Sequence, residues 1–195
     1  MEVITVYKTK ANKNTVPINK NIPYYLVVTV IFILLKFGYT YAETDQLKFL
    51  LKPTNKLVEV LTGSHSVYDA DTGYYHERLN IVIDGGCSGF NFWVLSFLLF
   101  AYMLLKYFDK ALHKMVCIPA ALVLAYLLTI FVNTSRIFAS LVVHNQTENI
   151  LRQQQYLVHE AVGIITNLSF LVLAYYLIEK FLTQKKHQKN HEKFT

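Results

Sequence analysis

Asp84-Gly85-Gly86-Cys87-Ser88-Gly89-Phe90-Asn91-Phe92-Trp93 is a polar, glycine-rich turn that presents one cysteine and runs directly into a long apolar stretch. Glycines on both sides of Cys87 let the backbone bend and let a second chain come close to the sulfur. A helix start gathers unpaired N–H groups and the positive end of the macrodipole, which favour a thiolate or an oxyanion. The same stretch equally suits a small apolar cysteine packed in a tight turn. The choice between the two depends on what the rest of the chain brings to this point.

The rest of the chain is 53% apolar and 14% aromatic over 195 residues, and the apolar residues are clustered rather than spread. Clustering of this kind predicts an integral membrane protein of one domain, not a soluble core. The net charge of +6 comes from lysines that lie beside hydrophobic runs, where they act as topology signals, so no nucleic-acid partner is expected. Two cysteines make no disulfide framework. Beyond the lysine-rich tail there is no repeat and no low-complexity segment.

Residues 1–22 are polar and basic, with Lys8, Lys10, Lys13 and Lys20. Pro23 opens the first span, Tyr24 to about Ala42, long enough to cross a hydrocarbon core of roughly 30 Å. This run is too long for the apolar region of a signal peptide, and Tyr39-Thr40-Tyr41-Ala42 is a poor cleavage site. Lys36 within it is expected to snorkel to the nearer interface. Residues 43–86 then form an insertion outside the membrane. Leu47, Phe49, Leu50 and Leu51, followed by Leu57, Val58, Val60 and Leu61, fit short amphipathic helices broken at Pro53. Val67-Tyr68, an Asp71-Thr72-Gly73 turn, Tyr74-Tyr75 and the alternating Leu79, Ile81 and Ile83 predict a small β-hairpin leading straight to Cys87.

Span two is expected from about Ser88 to Tyr107, and span three from Met115 through Val132, a polar step at Asn133-Thr134-Ser135-Arg136, and on to Val143. A polar connection, 144–157, precedes span four, His159 to about Leu182. The fold class is therefore membrane all-α: four transmembrane helices with a small extracytoplasmic head of short amphipathic helices and a β-hairpin. In domain terms, 1–22 is a basic N-terminus, 23–182 a single four-helix domain carrying the 43–86 insertion, and 183–195 a basic tail.

Lysine placement orients the spans. The N-terminus, the 106–114 loop and the tail counted from Lys180 hold 12 of the 19 Lys and Arg, whereas 43–86 and 144–157 hold five, along with eight acids. The positive-inside rule then predicts a multi-pass protein of the inner (cytoplasmic) membrane with both termini cytoplasmic. In that topology Cys87 begins span two on the outer side. Arg136, some 20 residues into span three, has reached the outer boundary at about 1.5 Å per residue, and His159 opens span four there too. Asn133 and Arg136 share a face, and His159, Gly163 and Asn167 form a stripe at i, i+4, i+8. Asn91 lies four residues beyond Cys87. Polar groups sharing one depth in a membrane read as a site, although Arg136 alone could snorkel to headgroups and His159 alone could be an interfacial residue.

Cys117 falls at the other end of span three, nearly a membrane thickness from Cys87, too far for a disulfide whose Cα atoms must lie within about 7 Å. It is expected to pack in the core. Metal binding by Cys87, His159 and His144 or His76 matches no tight zinc spacing, so no metal and no cofactor are expected.

Cys87-Ser88-Gly89 at a helix start, Asn133-x-x-Arg136-Ile137 late in the next span, and His159-Glu160-x-x-Gly163 opening the last resemble the exosortase/archaeosortase family. Gly63 and the hydrophobic strand before the cysteine add to the likeness, which covers roughly 45–180. With four spans where larger members have more, the chain looks like a short form such as exosortase K. The resemblance implies an integral membrane cysteine transpeptidase or protease. Its protein substrates would carry a C-terminal signal of short motif, transmembrane helix and basic cluster, and it would work beside membrane lipid. By carry-over Cys87 is the nucleophile, Arg136 the electrophilic partner and His159 the general acid/base, with Asn133, Glu160, Gly89, Gly163, Asn167 and Asn91 in support. The alternative is a small structural or transport protein whose polar stripe lines a water-filled path.

Overall fold

A computed structural model describes residues 21–108, 110–147 and 155–191, with side chains over 21–108, 110–143 and 160–184. The first 20 residues, residues 148–154 with Arg152, and residues 192–195 with Lys193 lie outside what is described, as do the side chains of 144–147, of 155–159 with His159, and of the tail lysines from Lys185 onward. Among the described residues, four helices are long and apolar enough to cross a membrane. They are α1 (Ile22–Thr40), α3 (Phe90–Tyr107), α4 (Ala111–Thr147) and α5 (Gln155–His191); the shorter α2 (Lys48–Thr62) and a three-stranded sheet lie between α1 and α3.

Helix α1 starts with Pro23 in its first turn, where a missing N–H is harmless. Its start is tied down by Asn21, whose Nδ2 donates to the Leu105 carbonyl at 3.3 Å and whose Oδ1 accepts from Lys114 Nζ. Lys114 is thereby buried at the end of the bundle away from the sheet, with its ammonium 5.6 Å from the Tyr24 ring centre. At the same end the Tyr107 hydroxyl meets Thr183 Oγ1 at 2.8 Å, fastening α3 to α5.

Helix α3 is the hub. Of its apolar span 61% is buried, against 6% for the spans of α1 and α5, and Phe97, Phe100, Ala101 and Leu105 are enclosed along it. Cys117 is buried in the same core on α4, 16 residues or about 24 Å of helix from Asn133. Both cysteines are free.

Two expectations are corrected. Pro53 does not break the helix: α2 is continuous through it. A proline cannot donate to the carbonyl four residues back, here that of Phe49. The Tyr126 hydroxyl of α4 supplies the missing donor at 2.8 Å, so one side chain both heals α2 and docks it on α4. Leu50, Leu51 and Val58 form the buried face; Leu57, Val60 and Leu61 are exposed. Gly63, at φ +63°, ends the helix in a left-handed cap.

The second correction concerns the hairpin, which is three strands: β1 (Val67–Asp69), β2 (Gly73–His76) and β3 (Ile81–Ile83), antiparallel in that order. Val67, Tyr75 and Val82 face each other across the sheet on its exposed face, while Tyr74 and Ile83 point into the core. It is β3, the third strand, that leads to Cys87. A side chain at Gly73 would run into the Ile83 carbonyl, so the tip needs glycine there.

Helix α4 runs through the polar step without interruption. Thr134 and Ser135 return their hydroxyls to the Ile130 and Phe131 carbonyls at 2.8 and 2.9 Å. Their polarity is absorbed within the helix, which leaves Asn133 and Arg136 as the polar groups that this step offers to neighbouring elements.

Candidate functional site

The cysteine turn is fixed by its own residues. Asp84 Oδ1 accepts the Cys87 N–H at 3.0 Å, and the Asp84 carbonyl shares it at 3.0 Å, closing a 3-10 turn over Gly85–Cys87. Ser88, fully buried, accepts the Phe90 N–H on its Oγ at 3.3 Å. Gly89 stands at φ +71° as the N-cap of α3, so the helix proper opens at Phe90. Cys87 therefore sits three residues ahead of the helix, held by an aspartate cap, rather than in its first turn.

Helix α4 seizes this turn from the side. Asn133 donates from Nδ2 to the Cys87 carbonyl. Gly89 packs so closely on α4 that an added Cβ would lie 3.1 Å from both Asn133 Cγ and Thr129 Cγ2. Thr129, Asn133 and Arg136 share a face at i, i+4, i+7. Asn133 and Thr129 are buried, and the Thr129 hydroxyl bonds the Ala125 carbonyl at 2.7 Å, turning its methyl toward Gly89.

Arg136 is half-buried and an electrostatic neighbour of the Cys87 thiol, as is Asp84. Its Nε is shut off from solvent with no hydrogen-bond partner among the described residues. The arginine lies against α5 at Gly163, where Arg136 Cδ stands at ordinary van der Waals distance, 3.4 Å, from the position an added Cβ would take. The backbone of α5 carries His159 one turn, about 6 Å, before Gly163 on the same face. Asn167 is half-buried one turn beyond Gly163, and Glu160 is exposed.

Asn91 turns elsewhere. Its Oδ1 accepts from Lys36 Nζ of α1 at 2.7 Å, so Asn91 serves the opposite side of the cysteine turn, and Lys36 is paired rather than extended toward an interface. His76 is also elsewhere: it is fully buried in the head, with Nε2 2.7 Å from Asn55 Oδ1 and Nδ1 2.8 Å from Ser64 Oγ. Both ring nitrogens are occupied, which removes it as a partner for Cys87. A neutral ring satisfies both contacts, donating from Nε2 and accepting at Nδ1.

The hydrogen bonds continue from Asn55 to Ser66 Oγ at 2.8 Å and from Ser66 to Glu59 Oε1 at 2.8 Å. The Ser66 hydroxyl holds the Glu59 carboxyl down at about 2, and burial pushes the His76 imidazole below its ordinary value. At the other end of the sheet, Tyr68 donates to Asp45 at 2.5 Å, which lifts the phenol to about 12 and lowers the Asp45 carboxyl. These links bind α2, β1 and β2 into the platform from which β3 delivers Cys87. Thr129 was not singled out from the sequence, although its spacing to Asn133 and Arg136 was a legible signal; Lys36 stood out only as a lysine inside an apolar span, and nothing local marked its pairing with Asn91. Comparison with protein-family models, curated proteins and solved structures returned no match.

Proposed function

We propose that this chain is a multi-pass protein of the inner (cytoplasmic) membrane, with both termini cytoplasmic, and a cysteine transpeptidase or protease of the exosortase type. Its site would lie on the extracytoplasmic side. The observation that supports this reading is the meeting of the Cys87 turn with Arg136, whose buried Nε has no partner among the described residues, at the head end of four apolar helices. A guanidinium beside the thiol is placed to stabilise negative charge that develops there during reaction.

In the proposed reaction the Cys87 thiol gives its proton to His159, and the thiolate attacks the carbonyl carbon of the scissile peptide bond. The tetrahedral oxyanion forms beside Arg136. It collapses as the C–N bond breaks, and His159 returns the proton to the leaving amine. The thioester is then resolved by water, an amine or a hydroxyl. Asn133 keeps the nucleophile's carbonyl fixed while Sγ reacts, and Arg136 lies against α5 at Gly163.

The test is processing of a tripartite substrate (short motif, apolar helix, basic cluster) by membranes containing the protein. Cys87→Ala is expected to abolish processing and Arg136→Ala to lower it at least a hundredfold. Undiminished processing by Cys87→Ala would refute the assignment. Labelling of Cys87 by an impermeant thiol reagent only from the cytoplasmic side would refute the orientation.

A further inference from the structure

On the side of the cysteine turn away from Arg136 there is an open cleft of about 830 Å³. One wall is the end of α1, with Lys36; the other is the sheet and turn, with Asp71, Val82, Asp84, Gly85 and Gly86. Clefts of roughly 300–1,000 Å³ accommodate a ligand of drug or short-peptide size. Three features give this one a preferred occupant. First, β3 is an edge strand. It pairs with β2 on one side, and among the described residues no backbone hydrogen bond engages 81–83 on the other. Second, the wall continues from β3 through Asp84 to Gly85 and Gly86, so the open edge leads to the turn that carries Cys87. Third, the walls are oppositely charged. Lys36 is held by Asn91, which takes one of its three ammonium hydrogens and leaves two for a ligand.

We infer that this cleft binds the extramembrane segment of a protein substrate as an extended strand along β3, with an acidic side chain of that segment held by Lys36. The inference rests on the peptide-processing function proposed above and adds the substrate's binding mode and charge. Main-chain pairing to an open edge supplies affinity without sequence preference, and the pocket beside it supplies selectivity. Asp71 and Asp84 repel a second acid from the sheet wall, so the acidic residue has one place to go. Asn91 is then a positioning residue acting through Lys36, which explains why a polar residue so close to Cys87 faces away from Arg136.

The experiment places the photo-crosslinking residue p-benzoylphenylalanine at Val82 in the full chain, in membranes, with Cys87→Ala to prevent turnover. The probe is a synthetic peptide of an extended segment with one glutamate, an apolar helix and a lysine cluster. Crosslinking is expected from Val82 and not from the same probe at Val67, on the far strand. Lys36→Glu is expected to lower the yield about tenfold. A peptide with lysine in place of its glutamate is expected to restore it, which a misfolded variant cannot do. Absence of a Val82 crosslink, or crosslinking of a second copy of the chain in its place, overturns the inference. If Cys87-dependent processing persists in that case, the proposed function still stands. A yield indifferent to both charge changes removes the role of Lys36. A Val82 crosslink without any Cys87-dependent processing supports the cleft and refutes the catalysis.

Discussion

Gly89 offers a sharp test of the way the site is built. It has φ +71°, which costs a residue with a side chain roughly 1–2 kcal/mol. An added Cβ would also lie 3.1 Å from Asn133 Cγ and from Thr129 Cγ2, both on buried residues of α4 that have little room to retreat. Overpacking of this kind typically adds about 1–3 kcal/mol. Gly89→Ala is therefore expected to destabilise the protein by about 3 kcal/mol, which for a chain of this length is a fall of roughly 6–12 °C in melting temperature. Relief of the clash requires Asn133 to withdraw from the Cys87 carbonyl, so Cys87 should also alkylate faster with a water-soluble maleimide. Gly38→Ala is the control. Gly38 lies inside α1 at ordinary helical φ with nothing within 4 Å of an added Cβ, so alanine there is expected to be neutral or to stabilise by up to about 1 kcal/mol. Thermal unfolding of all three proteins in the same detergent measures both effects. A Gly89→Ala melt within 1 °C of wild type, or an equal fall for Gly38→Ala, would refute the claim that this glycine sets the contact between turn and helix.

Tyr126→Phe is expected to cost about 1 kcal/mol by stranding the Phe49 carbonyl, and Pro53→Ala, which restores an N–H to that carbonyl, should recover most of it; additive losses in unfolding would contradict the shared role. Asp84→Ala should lose about 1 kcal/mol and speed alkylation of Cys87, whereas Asp84→Asn keeps an accepting oxygen and should behave like wild type in both assays. The head is expected to weaken in acid in two stages. His76 has its folded value below the unfolded 6.5, so its contribution is complete above that pH and declines as pH falls below it, because the unfolded chain takes up the proton first. Glu59, held at about 2, contributes fully above its unfolded 4.5 and loses that contribution as pH falls from 4.5 toward 2. Melting temperatures between pH 7.5 and 3 should show both stages, with Glu59→Gln flattening the lower one; a flat profile would contradict both assignments.

Much of the architecture was legible because it depends on run length and period. Eighteen or more apolar residues can only be a long helix, and alternation between Val67 and Ile83 can only be a strand pattern. The two misreadings came from partners distant in sequence. Pro53 looked like a break because its missing bond is visible locally, while the Tyr126 hydroxyl that replaces it is 77 positions from Phe49. Two strands were expected where there are three because the turn at Glu77–Leu79, closed by Asn80 in a left-handed conformation, carries no glycine or proline to mark it and splits β2 from β3.

The site divides along the same line. Residue types and spacings put Cys87 in a bendable turn, Asn133 and Arg136 on one face of a helix, and His159 a turn from Gly163 on another; helical geometry requires each of these whatever the packing. Packing alone chose among them. Asn133 reaches the Cys87 carbonyl because Gly89 lets α3 touch α4, and Arg136 lies against Gly163 because α5 packs on that face of α4. Asn91, with equal claim by spacing, turned to Lys36 because α1 sits on that side of α3. A single helix defines its own faces. Which face meets a neighbour is decided where small residues let two backbones approach.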